Sequence, residues 1–285
     1  MNEEKRSKIK WHFEGKDGLA LFAHASPSDS PPKAIICMVH GHGEHIERYN
    51  HLATALNKAG YTFVGFDHRG HGKSDGVRGH IPSYETLLDD IEAFLAEIEE
   101  NYPEVPRILY GHSMGGNLVI NYALRRTSDI KGVISTSPWL KLAFEPPAVQ
   151  VFMGKMMNKI YPAFIMSSGL ETSSLSHDPE VVRAYEEDSL VHDKISARLF
   201  VGMYESGLWA LDHAGEFSLP LLLMHGGADK ITSPEASREF AKKAGENVTL
   251  KIWDELYHET HNEPEQDEVF KKIIDWLDRV GSKKT

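Results

Sequence analysis

The chain has 285 residues, 41% of them hydrophobic and 26% charged. That is the make-up of a globular protein able to bury roughly three quarters of its unfolded surface, in one large α/β domain or a domain with an insertion. Its 31 lysines and arginines against 42 aspartates and glutamates leave a net charge of −11, which argues against nucleic-acid binding and against attraction to anionic headgroups, since both need cationic neutralisation.

The N-terminal stretch, Met1 to Lys10, is charged and carries no apolar segment of leader length. No run approaches the roughly 20 apolar residues of a membrane-spanning helix. A cytoplasmic protein is expected, with peripheral contact with membranes left open. Residues Ile9–Glu14 and Leu19–Ala25 have strand character around the turn Gly15-Lys16-Asp17-Gly18, which predicts an antiparallel hairpin. A Pro/Ser loop follows. Ala34–Val39 is a continuous apolar run, as in a strand buried on both faces. It contains the single cysteine, Cys37, which excludes an intrachain disulfide and a Cys-rich zinc site and reads as an inert core thiol. Ile46–Ala59 reads as a helix ended by Gly60, and Tyr61–Phe66 as the next strand. Tyr84–Asn101 has helical spacing, with Leu87, Leu88, Ile91, Leu95 and Ile98 on one face. Arg107–Tyr110, Gly115–Arg126 and Gly132–Ser135 continue as strand, helix and strand. This alternation predicts a mostly parallel sheet with helices on both faces.

The rhythm breaks at Pro138-Trp139 and resumes at Leu219–Met224. Residues 139–216, rich in Met, Phe, Tyr and Pro and without a clear strand, read as a helical insertion into a core made of 1–138 and 217–285. It is either a subdomain with its own small core or a lid whose Met-rich face receives a flexible apolar ligand. A helix at Pro234–Ala244, a strand at Val248–Trp253 and a helix at Asp267–Val280 complete the chain.

The strongest chemical signal is Gly111-His112-Ser113-Met114-Gly115-Gly116, a G-x-S-x-G between a strand and a helix. Small flanking residues let a sharp turn close and lift the serine hydroxyl to the sheet edge, beside helix N-terminal amides suited to an oxyanion. Such a serine needs a base and an orienting acid. Asp229 follows the strand Leu221–Met224, and His258 follows the strand Val248–Trp253. His261 is the competing base, further from its strand. Asp254 is a weaker acid candidate, being too close in sequence to His258. The loop His40-Gly41-His42-Gly43 sits where a second oxyanion donor is needed, so the backbone amides of His42 and Met114 are the expected pair. His40-Gly41-His42-Gly43-Glu44-His45 also resembles a zinc motif, with His68 and His71 as further ligands. That alternative leaves Ser113, Asp229 and His258 unexplained, so no metal and no cofactor is expected.

Together with Arg48-Tyr49, Asp67–Ser74 and Tyr257-His258-Glu259-Thr260-His261, these motifs resemble α/β-hydrolases of the monoacylglycerol lipase type, related to bacterial lysophospholipase-like esterases. The resemblance implies a Ser113–Asp229–His258 triad. It also implies a polar pocket for a glycerol leaving group from Glu44, Arg48 and His261, with Tyr185 of the insertion as a fourth member. On the bare sequence, Glu44 and Arg48 could equally be an ordinary i,i+4 ion pair. The resemblance further implies a lipid-ester substrate, a monoacylglycerol first and a lysophospholipid or a broad range of carboxylesters second, with aminopeptidase activity a more distant option. Phe152, Met156, Met157 and Phe164 would line an acyl tunnel, and the outer face of the insertion could touch lipid surfaces.

Overall fold

The computed structural model describes residues 9–281; the first part of the charged N-terminal stretch lies outside the described residues. The hairpin forms from β1 (Lys10–Glu14) and β2 (Ala20–Ser26), paired antiparallel with Lys10 opposite His24. Then come β3 (Ile35–Val39), α1 (Asn50–Lys58), β4 (Thr62–Phe66), α2 (Tyr84–Asn101), β5 (Arg107–His112), α3 (Met114–Arg125) and β6 (Gly132–Thr136). The expected helix from Ile46 begins instead as a 3-10 turn, Ile46–Tyr49. After β6 come α4 (Ala148–Ile160), β7 (Ile165–Ser167), α5 (Pro179–Glu187), β8 (Lys194–Ser196) and α6 (Ala197–Asp212). The last of the described elements are β9 (Leu221–Gly226), α7 (Pro234–Ala244), β10 (Val248–Trp253) and α8 (Gln266–Gly281).

Eight strands form one sheet in the order β1-β2-β4-β3-β5-β6-β9-β10. The pairs β1/β2 and β2/β4 are antiparallel, and every pairing from β4 to β10 is parallel. All five residues of β3 are buried. Ile35, Cys37 and Val39 face the core under α2, α3 and α6, while Ile36 and Met38 face the core under α1 and α8. A strand sealed on both faces explains its unbroken apolar run. Burial pushes the Cys37 thiol up to about 12, so it stays protonated and inert.

The chain between β6 and β9 is not purely helical. β7 and β8 pair antiparallel, with Ile165 opposite Ser196. Three-residue strands leave no periodicity to read. α4 buries none of its residues, and Val149, Phe152 and Ile160 are each more than 60% exposed. The segment is nonetheless bound to the sheet's loops. His192 N–H donates to the Gly43 carbonyl at 2.9 Å, and His45 Nε2 lies 2.8 Å from Asp188 Oδ2. Buried Glu263 accepts from His177 N–H at 2.9 Å and from Tyr257 N–H at 2.6 Å. Glu259 N–H donates to the Leu175 carbonyl at 2.8 Å.

Candidate active site

Parallel strands place their carboxyl ends, and the loops that follow, along one edge of the sheet. β5 delivers Ser113, β9 delivers Asp229 and β10 delivers His258 to that edge. Ser113 stands at φ 53°, ψ −112°, a strained left-handed conformation between β5 and α3. Gly111 and Gly115, two residues to either side of it, have no room for a side chain. A Cβ on Gly111 would sit 2.2 Å from the Gly115 carbonyl oxygen, and one on Gly115 would sit 1.9 Å from the Val39 carbonyl oxygen. The turn therefore closes against β3, which brings the loop after β3 beside the serine.

The three side chains meet. Ser113 Oγ donates to His258 Nε2 at 2.9 Å, and His258 Nδ1–H donates to Asp229 Oδ2 at 2.7 Å. Asp229 is further held by Ile231 N–H at 2.7 Å, Thr232 Oγ1 at 2.9 Å and His225 Nε2 at 3.1 Å. Ser137 Oγ donates to the His258 carbonyl at 2.7 Å. Burial alone would raise the Asp229 carboxyl, but His258 and His225 hold it well below the usual carboxylate range. Burial pulls the His258 imidazole down, yet Asp229 more than offsets this, assisted by Glu259 and Glu44, and the ring ends above its ordinary 6.5. This chain of bonds can take a proton from a serine hydroxyl and stabilise the resulting imidazolium. A base must be neutral to accept that proton. The acid limb of kcat/KM is therefore expected above pH 6.5, with activity lost as pH falls through it. A pH profile measured with a neutral ester checks this; a midpoint well below 6.5 would contradict it.

The loop after β3 lies against Ser113. A Cβ on Gly41 would stand 3.4 Å from Ser113 Cβ. Glu44 folds back on this loop, its Oε1 accepting Gly41 N–H at 2.6 Å and Tyr49 O–H at 2.6 Å. Asp67 ties the next turn to it, accepting Ile46 N–H at 2.8 Å and Lys73 N–H at 2.7 Å. The histidines that suggested a metal motif pack against one another instead. The His40 and His68 rings meet edge to face at 4.4 Å, and burial pushes the His42 imidazole down to about 3. Among the described residues, no group of three or more His, Cys, Asp or Glu is placed to hold a metal ion.

Ser113 and His258 open onto a cavity of about 850 Å³. The segment between β6 and β9 supplies much of its wall, including Val151, Met153, Met157, Phe164, Met166 and Phe200. Of the four apolar residues expected along a tunnel, Met157 and Phe164 line it, whereas Phe152 and Met156 do not. Both lie on exposed parts of α4, because the docking of that helix, and not its composition, decides which face is turned inward.

The four residues expected around a leaving group separate into two pairs. Glu44 and Tyr185 line the cavity; Arg48 and His261 do not. His261 is fully buried, stacked on Tyr49 at 4.8 Å and edge-on to His112 at 4.8 Å, and burial pushes its ring down to about 3. Arg48 lies beneath the Tyr185 ring at 4.7 Å and donates to Glu44 Oε2 at 2.6 Å. Glu259, which the sequence did not single out, takes Arg48 from the other side with two bonds of 2.8 Å. The only signal for it in the sequence is its place directly after His258.

A doubly covered parallel sheet carrying a serine on a strained strand-to-helix turn, with acid and histidine after later strands, defines an α/β-hydrolase. The Hydrolase_4 family, described as serine aminopeptidase, S33, matches residues 30–265. The chain is 32% identical over 267 residues to a monoacylglycerol lipase of Mycolicibacterium smegmatis, covering 93% of this chain and 95% of that one. It is 39% identical over 249 residues to an uncharacterized abhydrolase domain-containing protein of Dictyostelium discoideum, of whose length it spans 26%. The crystal structure of a Paleococcus ferrophilus monoacylglycerol lipase superposes with a TM-score of 0.84 at 35% identity, covering 91% of this chain and 99% of that one. The chain belongs to the Hydrolase_4 family and is a carboxylic ester hydrolase of the α/β-hydrolase fold.

Proposed function

We propose that the enzyme cleaves monoacylglycerols to fatty acid and glycerol through an acyl-enzyme on Ser113. His258 takes the serine proton while Asp229 fixes its tautomer and stabilises the imidazolium. Ser113 Oγ attacks the ester carbonyl. The backbone amides of His42 and Met114 hold the oxyanion, each worth about 3 kcal/mol. His258 then protonates the departing alcohol, and water attacks the acyl-enzyme by the same relay in reverse. Residues 139–216 act as a cap. The acyl chain lies along Met157, Phe164, Met166 and Phe200, and the alcohol lies by Glu44, Glu259 and Tyr185. Arg48 and His261 support that polar end from behind. The observation that carries this reading is the Ser113–His258–Asp229 bond chain opening onto a largely apolar cavity that Glu44, Glu259 and Tyr185 also line.

The exposed Val149, Phe152 and Ile160 of α4 support contact of the cap with lipid surfaces. Among the described residues no helix is long and apolar enough to cross a membrane. The reading keeps the enzyme in the cytoplasm, in line with its single, buried, free cysteine.

The test compares fatty-acid release from a 1-monoacylglycerol with amine release from an aminoacyl anilide, using Ser113→Ala as the blank. Turnover of the monoester at least about 100-fold above the anilide is expected, because the largely apolar cavity buries an acyl chain that the anilide lacks. The reverse order would overturn the proposal.

A further inference from the structure

The resemblance assigns Arg48 to the substrate, but the structure gives this cation to the protein itself. Its Nη1 donates to Glu44 Oε2 at 2.6 Å and to Glu259 Oε1 at 2.8 Å, and its Nη2 donates to Glu259 Oε2 at 2.8 Å. The Tyr185 ring covers its face at 4.7 Å. Glu259 is locked in turn, with Asn262 Nδ2 donating to its Oε2 at 2.6 Å. The cavity wall beside His258 is therefore made of carboxylates, Glu44 and Glu259, with the guanidinium behind them. Lys230 is the one lysine or arginine among the described residues lining the cavity, and it lies over the Tyr257 ring at 5.0 Å, after β9.

Carboxylate oxygens accept hydrogen bonds and carry negative charge. The hydroxyls of a polyol can donate to them. A phosphate meets like charge in a largely apolar cavity, and the fork that would normally grip it is already taken. We propose that Glu259 is a specificity-determining residue: by occupying Arg48 and presenting its own carboxylate beside His258, it selects neutral polyol leaving groups against phosphorylated ones. The inference rests on the monoester reading above and adds the residue that would divide a monoacylglycerol from a lysophospholipid. Burial would raise the Glu259 carboxyl, but Arg48 holds it well below its ordinary range, so it is charged at any working pH.

The test measures kcat/KM on a 1-monoacylglycerol and on a lysophosphatidic acid of the same acyl chain, both in neutral detergent micelles, for the wild type and Glu259→Gln. The wild type should prefer the monoacylglycerol by about 100-fold or more, and Glu259→Gln should narrow the ratio about tenfold. A ratio within one protein is insensitive to how much of the variant folds. A second reading needs no variant. As the phosphate gains its second charge above about pH 6, the wild-type preference should widen, the shared titration of His258 cancelling in the ratio. Equal turnover of the two lipids by the wild type, or an unchanged ratio in Glu259→Gln, would overturn the assignment. Failure to hydrolyse the monoacylglycerol at all would overturn the proposed function, and the inference with it, and is visible from that one substrate.

Discussion

Ser113→Ala is expected to lower kcat on a monoacylglycerol by about 10⁵-fold or more, the scale at which a nucleophile acting as one unit with its base is lost. The residual rate would come from the amides of His42 and Met114 and from binding alone. The hydroxyl sits 2.9 Å from His258 Nε2 and has no substitute in reach on that turn. Folding should be spared, because alanine removes one oxygen from a side chain that is 9% exposed. Fatty-acid release followed beside a thermal melt tests both halves. A serine-reactive phosphonate supplies an independent readout: it should label the wild type and leave Ser113→Ala unlabelled. A variant that keeps a few per cent of wild-type activity while folded would place the nucleophile elsewhere.

Asp229→Asn is the second large effect, with kcat expected to fall about 10⁴-fold. The carboxylate accepts the Nδ1–H of His258 at 2.7 Å, which leaves Nε2 free to receive the Ser113 proton. An asparagine amide turned toward His258 donates to Nδ1 and drives the ring proton to Nε2. The base then has no lone pair facing the serine. Asp229 also accepts Ile231 N–H at 2.7 Å and lies 3.1 Å from His225 Nε2, so the exchange disturbs buried partners and should lower stability as well. Activity must therefore be compared below the melting range of the variant. Removing the negative charge also lets the His258 imidazole fall, so whatever activity remains should extend to lower pH than in the wild type. A variant with wild-type kcat and an unmoved acid limb would show that Asp229 does not serve His258.

Several parts of this molecule are legible in its sequence alone. β3 reads as doubly buried because apolar residues run through it without alternation, and α2 reads as amphipathic from its helical spacing. Ser113, Asp229 and His258 stand out because the sheet's connectivity puts them after strands, and a local sequence window can locate a strand end. The rest depended on contacts that no window contains. Glu259 and Arg48 are 211 residues apart, and nothing near either of them announces the pair. Arg48 and His261 match motif positions, yet their side chains lie behind the cavity wall because Glu259 and Tyr49 hold them there. Phe152 and Met157 lie on the same helix with similar chemistry, and only the docking of α4 separates the one that lines the cavity from the one that does not. The β7/β8 pair is likewise set by where residues 165–167 and 194–196 meet.

β6 and β9 are neighbours in the sheet, but the whole of residues 137–220 lies between them in the chain. Pairing them closes the longest crossover in the sheet, a contact of greater sequence separation than those by which β3, β4, β5 and β6 join. Ser113 stands on the early side of this closure, and Asp229 and His258 stand on the late side. During refolding, the half that carries Ser113 can be built while Val133 and Ile134 of β6 still present an unpaired edge, the moment of greatest danger of association with another chain. Secondary structure should consequently return before esterase activity does, because the halves that carry the site join in the last step.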